Sequence, residues 1–332
     1  MLCAIFTACK AKTTPSEQIT EQAVEEPAPQ EDENAPAEYA EETDSPQVSY
    51  HVQRPLSSFT LSGRLPANGV NVHEVNPVNY ENPDLDILKQ MGAQPYLISY
   101  LSGEKFYKSG NYDNAIAEYS AAIIQNGQFV EALISRGNTW LKKGDYSRAI
   151  EDYSRSIRLD NSKAEVFNYR GYARMERGET KLAIEDFSQA LALKGNYTDA
   201  LINRSQALYE IGEFDRVIED CSRIIKLEPH NAYAWNRRGS AWYRKEDDDR
   251  AIKDFTEAIK IKSDYALAWH NRGNAWYNKG ELDKALADLN RTLAINPSFA
   301  NAYISRANIF RILGNNESAA ADIEQAQRLL KN

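Results

Sequence analysis

Most of this sequence is built on a repeat of 34 residues, and that period constrains the fold more strongly than length or composition does. Starting at residue 96, the chain divides into seven repeats without an insertion: 96–129, 130–163, 164–197, 198–231, 232–265, 266–299 and 300–332. One position in each repeat is always small, as Gly103, Gly137, Gly171, Ser205, Gly239, Gly273 and Ala307. The period therefore predicts stacked units, each packed on its neighbours.

A second small residue is followed four positions later by a larger one. The small residues are Ala115, Ala149, Ala183, Val217, Ala251, Ala285 and Ala319. The residues that follow them are Tyr119, Tyr153, Phe187, Cys221, Phe255, Leu289 and Ile323. Small residues let two helices approach, and a large residue on the same helical face fills the next gap. In the fourth repeat Val217 and Ile224 are larger than their counterparts while Cys221 is smaller, so Cys221 is predicted to be a buried core thiol.

A two-residue pattern marks the turn between the two helices of a repeat. Glycine recurs there, followed by Asn, Asp or Glu, at Gly110, Gly144, Gly178, Gly212, Gly280 and Gly314. This pattern predicts a left-handed C-cap and then the start of the second helix. The fifth repeat departs from it with Glu246. At the end of the chain, Ala320 and Gln327 stand where earlier repeats mostly carry Ile or Leu, which indicates a capping helix.

With Trp235 or Trp269 early in the unit and the small residue four positions later, the repeat resembles the tetratricopeptide repeat. The resemblance covers residues 96–332, although the family's closing proline is kept only as Pro229 and Pro297. It implies an all-α fold: a right-handed superhelical solenoid of seven helix-turn-helix repeats, preceded by a disordered tail. It also implies a protein or peptide partner bound in a concave groove.

The N-terminal residues 1–9 end in Phe6-Thr7-Ala8-Cys9, which resembles the lipobox of bacterial lipoproteins. The resemblance implies a truncated lipoprotein signal, with the true start upstream, and acylation of Cys9. The protein would then be anchored to a membrane of the bacterial cell envelope and face the periplasm or the exterior. The alternatives are that Cys3 and Cys9 are ordinary thiols and that the protein is cytoplasmic. No apolar run is long enough to span a membrane.

Residues 10–95 are expected to form a disordered tether. The part from Lys10 to Asp44 holds 11 acidic and 2 basic residues and has little that is large and apolar. Short alternation over residues 57–75 suggests a marginal hairpin, and residues 84–91 suggest a short helix. The rest of the chain holds 37 acidic and 37 basic residues, so it offers no basic stripe for nucleic acid, which is not expected as a partner.

Arginine and aspartate recur as a pair, 16 residues apart, in six repeats. The arginines are Arg136, Arg170, Arg204, Arg238, Arg272 and Arg306, and the aspartates are Asp152, Asp186, Asp220, Asp254, Asp288 and Asp322. In the first repeat Ser102 replaces the arginine and Glu118 the aspartate. The pairing predicts a ladder of ion pairs that specifies the fold, with recognition of an anionic ligand as the alternative.

The resemblance places the partner groove along the first helices. The residues carried over as partner-binding candidates are Asn168, Tyr172, Asn203, Tyr209, Asn236, Arg237, Tyr243, His270, Asn271, Asn274, Tyr277 and Asn308. Amides suit an extended peptide backbone, and tyrosines supply rigid contact area with a polar tip. Packing between neighbouring first helices is the alternative role. Only Asn203 and Arg237 match the clamp with which some family members bind carboxylates, so that ligand is not expected.

No set of residues indicates catalysis, a cofactor or a metal, because the four histidines and three cysteines are scattered. The favoured function is a non-enzymatic interaction scaffold that binds a partner peptide or helix in an extracytoplasmic envelope assembly. The alternatives are a regulatory or substrate-binding arm of a separate enzyme and a cytoplasmic adaptor resembling a co-chaperone. The protein is expected to be a monomer or to associate weakly with itself.

Overall fold

The computed structural model describes residues 85–90 and 92–331, and the described residues form helices joined by short turns. The helices are α1 (Leu85–Gln90), α2 (Pro95–Lys108), α3 (Tyr112–Gln125), α4 (Val130–Lys142), α5 (Tyr146–Leu159), α6 (Ala164–Glu176), α7 (Thr180–Leu193), α8 (Thr198–Glu210), α9 (Phe214–Leu227), α10 (Ala232–Arg244), α11 (Asp248–Ile261), α12 (Ala266–Asn278), α13 (Leu282–Ile295), α14 (Ala300–Ile312) and α15 (Asn316–Leu330). No strand occurs among these residues. The signal predicted over residues 1–9 with Cys9, the predicted tether up to residue 84 and the hairpin of residues 57–75 lie outside the described residues.

Helices α2 to α15 form seven successive pairs, one pair for each repeat of the sequence. The two helices of a pair pack together, and the second helix of each pair packs on the first helix of the next. The predicted all-α solenoid is therefore confirmed. Helix α1 lies where the sequence suggests a short helix and packs on α2.

The first helices of adjacent repeats also touch each other, as α2 with α4, α4 with α6, α6 with α8, α10 with α12 and α12 with α14. Among the described helices, no two second helices pack together to this extent. The first helices therefore lie on the shorter, inner side of the stack. We call the solvent-accessible side of the first helices the inner face, and the side formed by the second helices the outer face.

The turn inside each repeat has the predicted left-handed cap. The six turn glycines have φ values of 74° to 77°. Asn or Asp after the turn caps the second helix, as where Asp145 accepts a hydrogen bond from the Arg148 backbone N–H. Glu179, Glu213 and Glu281 at the same position form no side-chain cap. Glu246 adopts the glycine conformation with φ 61°, which strains its backbone because a β-carbon disfavours this region.

Replacing Glu246 with glycine should stabilise the protein by about 1 kcal/mol, because glycine removes the left-handed backbone strain. Chemical denaturation of the two proteins measures the difference. Replacing Gly212 with alanine is the opposite change at the same turn position, and it should destabilise by a similar amount. Equal stability of the Glu246→Gly variant and the natural sequence would contradict this account of the fifth turn.

The recurrent small residue of the first helix meets the large residue of the second helix. A β-carbon built on Gly171 lies 2.7 Å from Cε1 of the fully buried Phe187. Gly103, Gly137 and Gly239 meet Tyr119, Tyr153 and Phe255 equally closely. In the fourth repeat Ser205 takes the glycine position and the smaller Cys221 takes the aromatic one, and both are fully buried. Residue sizes at the two positions therefore compensate each other within the chain.

Replacing Gly171 with alanine should destabilise the protein by about 2 kcal/mol, because overpacking outweighs the gain in helix propensity. Gly273 is the matched control, since a β-carbon there lies 3.2 Å from Cγ of Leu289, a less severe contact than the 2.7 Å at Gly171. Thermal or chemical denaturation should show a clearly smaller loss for Gly273→Ala. Equal losses would show that the aromatic partner does not set the requirement for glycine.

The fourth repeat contains the predicted core thiol. Cys221 is free and fully buried, which confirms the prediction. Burial raises the pKa of its thiol to about 12, so the reactive thiolate is disfavoured at neutral pH.

The two ends of the solenoid expose positions that the interior repeats bury or partly bury. In the last repeat Ala320 and Gln327 are exposed, as the predicted cap requires. In the first repeat the exposed Lys105 stands where the third, fourth, fifth and sixth repeats bury an alanine. Within residues 85–90 and 92–331, no helix has the length and apolar character of a membrane span.

Candidate functional site

The arginine and aspartate ladder connects the two helices of six repeats. In the fourth repeat, Nε and Nη2 of Arg204 donate to the two carboxylate oxygens of Asp220, at 2.8 and 2.6 Å. The other five pairs have the same two-point geometry. Burial by itself lowers the pKa of Arg204, but the hydrogen bond and charge of Asp220 outweigh it and raise the pKa. The ladder therefore serves the fold, as predicted.

Each ladder arginine also reaches the preceding repeat, a contact that the spacing of charged residues alone does not reveal. Nη1 of Arg204 donates to Oγ of Ser188, at 3.0 Å, on the second helix of the third repeat. The equivalent acceptors at 34-residue steps are Ser120, Ser154, Ser222, Thr256 and Asn290. This recurrence of small polar residues is visible in the sequence and could have indicated the contact. One guanidinium thus joins three helices and fixes how adjacent repeats stack.

The structure divides the twelve partner-binding candidates into two equal groups. The buried ones are Asn168, Asn203, Tyr209, Asn236, His270 and Asn271. The partly exposed ones are Tyr172, Arg237, Tyr243, Asn274, Tyr277 and Asn308. Only the second group lies on the accessible inner face, so six of the twelve candidates are accessible to a partner.

Buried amides connect neighbouring first helices. Nδ2 of Asn203 donates to Oδ1 of Asn168 at 3.0 Å, and Nδ2 of Asn271 donates to Oδ1 of Asn236 at 3.2 Å. Each of these bonds joins residues 35 positions apart, from one repeat to the next. Because the four amides are buried and paired in this way, we correct their assignment: they hold adjacent repeats together and do not line the groove.

His270 occupies the same kind of junction between the sixth and seventh repeats. Its Nε2 lies 3.3 Å from Oγ of Ser305 and 3.2 Å from Nδ2 of Asn274, and its ring packs at a tilt against that of Phe299, with the ring centres 4.9 Å apart. Burial lowers the pKa of His270 to about 4, although hydrogen bonds to Asn271 and the Asn301 backbone act in the opposite direction. His270 is therefore neutral at physiological pH, and we correct its assignment too, from the groove to the interior.

Tyr209 is buried beneath two arginines at the boundary of the fourth and fifth repeats. The guanidinium of Arg237 lies 5.0 Å from the ring centre of Tyr209 and 5.2 Å from that of Tyr233, and its Nε donates to the Tyr233 hydroxyl at 3.2 Å. The guanidinium of Arg244 lies 5.0 Å from the ring of Phe214. These aromatic contacts orient both guanidinium groups on the inner face.

One helical stripe of the inner face changes charge along the stack. Positions separated by 7 and 11 residues lie on one side of a helix. In α6 this stripe contains Glu165, Tyr172 and Glu176; in α8 it contains Asp199, Gln206 and Glu210; in α10 it contains Tyr233, Ser240 and Arg244. The third and fourth repeats are thus acidic on this face, and the fifth is basic. The sequence-based list of candidates included none of these carboxylates.

Several titratable groups of the third and fourth repeats have raised pKa values. Partial burial raises the pKa of Asp199, and the charge of Glu228 raises it further. Burial, followed by the charges of Glu165 and Asp199, raises the pKa of Tyr169 to about 12. The pKa of Tyr197 is also raised, first by burial and then by Tyr169 and the same two carboxylates. Burial is thus the main cause of each shift, and neighbouring carboxylates add to it.

A pocket of about 600 Å³ lies on the outer face of the third repeat. It is bounded by Arg170, Arg174, Leu182 and Arg216, and Asp186 lies within its wall. Asp186 accepts hydrogen bonds from Arg174 as well as from its ladder partner Arg170. Among the described residues, no group of three or more His, Cys, Asp or Glu side chains could hold a metal ion.

Family models match three stretches of the chain. Models described as tetratricopeptide repeat match residues 100–164 and 266–299, and one described as TPR repeat matches residues 239–280. No curated protein sequence matches the chain.

Solved structures share the stacked-helix architecture. The MamA protein is 28% identical, with a TM-score of 0.50 over 52% of this chain and 94% of its own. A tetratricopeptide repeat protein from Parabacteroides merdae is 19% identical, with a TM-score of 0.58 over 71% of this chain and 94% of its own. YrrB, described as a TPR protein with an unusual peptide-binding site, is 20% identical, with a TM-score of 0.51 over 56% of this chain and 95% of its own. The last two similarities concern the fold alone.

Proposed function

Because the chain is a tetratricopeptide repeat protein, we propose that it is a non-enzymatic interaction scaffold that holds a segment of a partner protein against its inner face. The observation that carries this proposal is the row of partly exposed tyrosine, amide and arginine side chains on successive first helices. Such a row combines apolar contact area with hydrogen-bonding groups, as peptide recognition requires.

Tyr243 and Tyr277 are the two residues best suited to test this role. They occupy the same repeat position, one repeat apart, and both remain partly exposed on the inner face. Asn274 lies between them in the sequence and is also partly exposed. A partner segment crossing the fifth and sixth repeats would therefore meet two aromatic rings and an amide in succession.

We expect the double variant Tyr243→Ser, Tyr277→Ser to lose the partner that the natural sequence retains in affinity capture from cells of the source organism. The matched control is Leu182→Ser, Leu193→Ser, which removes two exposed apolar side chains from the outer face. Titration of the purified partner should then give a dissociation constant at least about tenfold weaker for the tyrosine variant alone, as loss of aromatic anchors predicts. The same captured proteins and affinities for all three chains would reject the inner face as the binding surface.

We also propose that the scaffold is tethered in the bacterial cell envelope through an acyl group on Cys9. The support is the Thr7-Ala8-Cys9 sequence and the acidic segment that follows it. In the native host, Cys9→Ser should move the protein from the detergent phase to the aqueous phase, while Cys3→Ser should not. Partition of Cys9→Ser into detergent as before would reject the anchor and leave the scaffold proposal untouched.

A further inference from the structure

We propose that the pocket on the outer face of the third repeat binds a small organic acid that carries a single carboxylate. We call this site the third-repeat pocket. The carboxylate pairs with Arg174, and the apolar part of the acid lies against Leu182 and Ile184. Because the pocket is on the outer face, the inference goes beyond the proposed scaffold function and does not depend on it.

Arg174 breaks the repeat pattern at its own position. At 34-residue steps from it, the other repeats carry large apolar residues, which are Phe106, Trp140, Leu208, Trp242, Trp276 and Phe310. In the second repeat a cation of the second helix covers this side chain, with the Arg148 guanidinium 4.6 Å from the ring centre of Trp140. The fifth and sixth repeats have the same arrangement. The third repeat inverts it, because Arg174 takes the position of the ring and the exposed Leu182 takes the position of the cation.

This inversion leaves a positive charge without a carboxylate of its own. Asp186 accepts hydrogen bonds from Nε and Nη2 of Arg170, at 2.9 and 2.6 Å, and from Nη1 of Arg174, at 2.8 Å. In each of the other five ladder pairs, the aspartate accepts from one arginine side chain. The side chains of Arg170, Arg174 and Asp186 are only 15%, 17% and 3% exposed. Two largely buried cations therefore share one carboxylate, which favours a second anion beside them.

The hydrogen bonds of Arg174 lead to the same conclusion. Its bonds to Asp186 and to the carbonyl oxygen of Leu182 both use Nη1, while its Nε is buried and has no hydrogen-bond partner. Because Nε itself is enclosed, it shows that the guanidinium lacks acceptors, and the ligand contacts this group where it lines the pocket. A carboxylate supplies both the acceptor oxygens and the negative charge that Arg174 lacks.

The rim of the pocket limits the charge of the ligand. Arg216 already pairs with Glu213 at 2.6 Å, and both side chains are exposed to water. Glu185 also lines the pocket and is exposed, so it adds a negative charge at the rim. A ligand with two negative charges is repelled there, whereas one carboxylate matches the single excess charge of Arg174.

The size and the apolar surface of the pocket favour an organic acid over a bare ion. Its volume of about 600 Å³ lies within the range of about 300–1,000 Å³ that is typical of small-molecule sites. Leu182 and Ile184 supply apolar surface beside the guanidinium groups. An acid with a short apolar body therefore fills the pocket better than an inorganic anion does.

Three probes test the chemistry of the ligand. Benzoate carries one carboxylate on an apolar ring, benzamide has nearly the same shape without the charge, and inorganic phosphate has more charge and no apolar part. Each is titrated into the full-length protein at low salt and followed by NMR. We expect benzoate to bind about fivefold or more tighter than either of the other probes.

Replacing Arg174 with leucine tests the role of the guanidinium. We expect benzoate to bind about tenfold more weakly to this variant. The melting temperature should not fall, because Leu208 occupies the same position in the fourth repeat and Asp186 keeps Arg170 as its partner. The matched control, Arg148→Gln, removes one exposed arginine of the second repeat and should change benzoate affinity less than about twofold.

A second variant tests the rim while leaving Arg174 in place. Glu185→Gln removes the exposed carboxylate, so phosphate should bind more tightly and the preference for benzoate over phosphate should shrink about twofold or more. An unchanged preference would contradict the role of the rim in limiting the charge of the ligand.

Several results would overturn the site as a whole. They are equal affinity for benzoate and benzamide, tighter binding of phosphate than of benzoate, no binding of benzoate at low salt, and equal effects of Arg174→Leu and Arg148→Gln. A lower melting temperature of Arg174→Leu would also count against it, because the arginine would then serve the fold. The variant Tyr243→Ser, Tyr277→Ser should bind benzoate as the natural sequence does, so failure of the scaffold proposal and failure of this one can be told apart.

Discussion

Replacing Asp220 with alanine should destabilise the protein by about 3–5 kcal/mol, because the variant leaves the Arg204 guanidinium in a largely buried site without its carboxylate. The Asp220 side chain is 1% exposed and that of Arg204 14% exposed, so water cannot replace the lost partner. The arginine also holds Ser188 of the preceding repeat, so its displacement should loosen the junction between the third and fourth repeats. Chemical denaturation followed by circular dichroism measures the loss.

Asp215 on the same helix provides the control. It pairs with Lys245, but its side chain is 83% exposed, so Asp215→Ala should cost less than about 1 kcal/mol. A second arm replaces both ladder partners, Arg204→Leu with Asp220→Leu, and should recover much of the lost stability because no unpaired charge remains. Similar losses of stability for Asp220→Ala and Asp215→Ala would show that burial does not determine how much a ladder ion pair contributes to stability.

Lowering the pH from about 6.5 to about 4 should remove about 3 kcal/mol of stability through His270 alone. The folded protein holds the His270 pKa at about 4, against 6.5 for an unperturbed histidine. Over that interval the unfolded chain binds a proton that the folded chain does not, so protonation favours unfolding as the pH falls. Well above pH 6.5, the unperturbed pKa, His270 is neutral in both the folded and the unfolded protein, so it adds nothing to the pH dependence of stability.

The variant His270→Asn isolates this contribution, since asparagine occupies the same position in the third and fifth repeats as Asn168 and Asn236. We expect the free energy of unfolding, measured at pH 7.0, 6.0 and 5.0, to decrease less steeply with falling pH for His270→Asn than for the natural sequence. His230 is exposed, so His230→Asn should keep the natural slope. An unchanged slope in His270→Asn would mean that the buried imidazole is protonated within the fold.

Several features of the site could be predicted from periodicity alone. The constant 16-residue spacing of arginine and aspartate identified all six ladder pairs, because helix geometry places those two positions opposite each other in every repeat. Cys221 replaces the larger residue found at this position in the other repeats, and Val217 replaces their alanine. Because core volume is conserved, this exchange predicted a buried thiol, as the structure has it.

Other assignments failed because a helical face is not the same as an accessible surface. Asn168 and Asn203 lie on first helices, as the resemblance to the family implies. Both are nevertheless buried and hydrogen-bonded to each other. The burial of these two amides depends on how closely adjacent first helices approach each other. The sequence of a single repeat does not determine that distance. The same close approach leaves Glu165, Asp199 and Arg244 at the accessible edge, where the choice of amides and tyrosines overlooked them.

The sequence by itself determined the number of repeats, the helix pairs, their capped turns and the pairing of residues within each repeat. These features depend on local geometry and on contacts that recur at a fixed spacing, so they can be inferred from the pattern. Only the tertiary structure decided which polar groups are enclosed between repeats and which charges share the open face. That difference arises because burial depends on the stacking of whole repeats, whose approach is set by many side chains acting together.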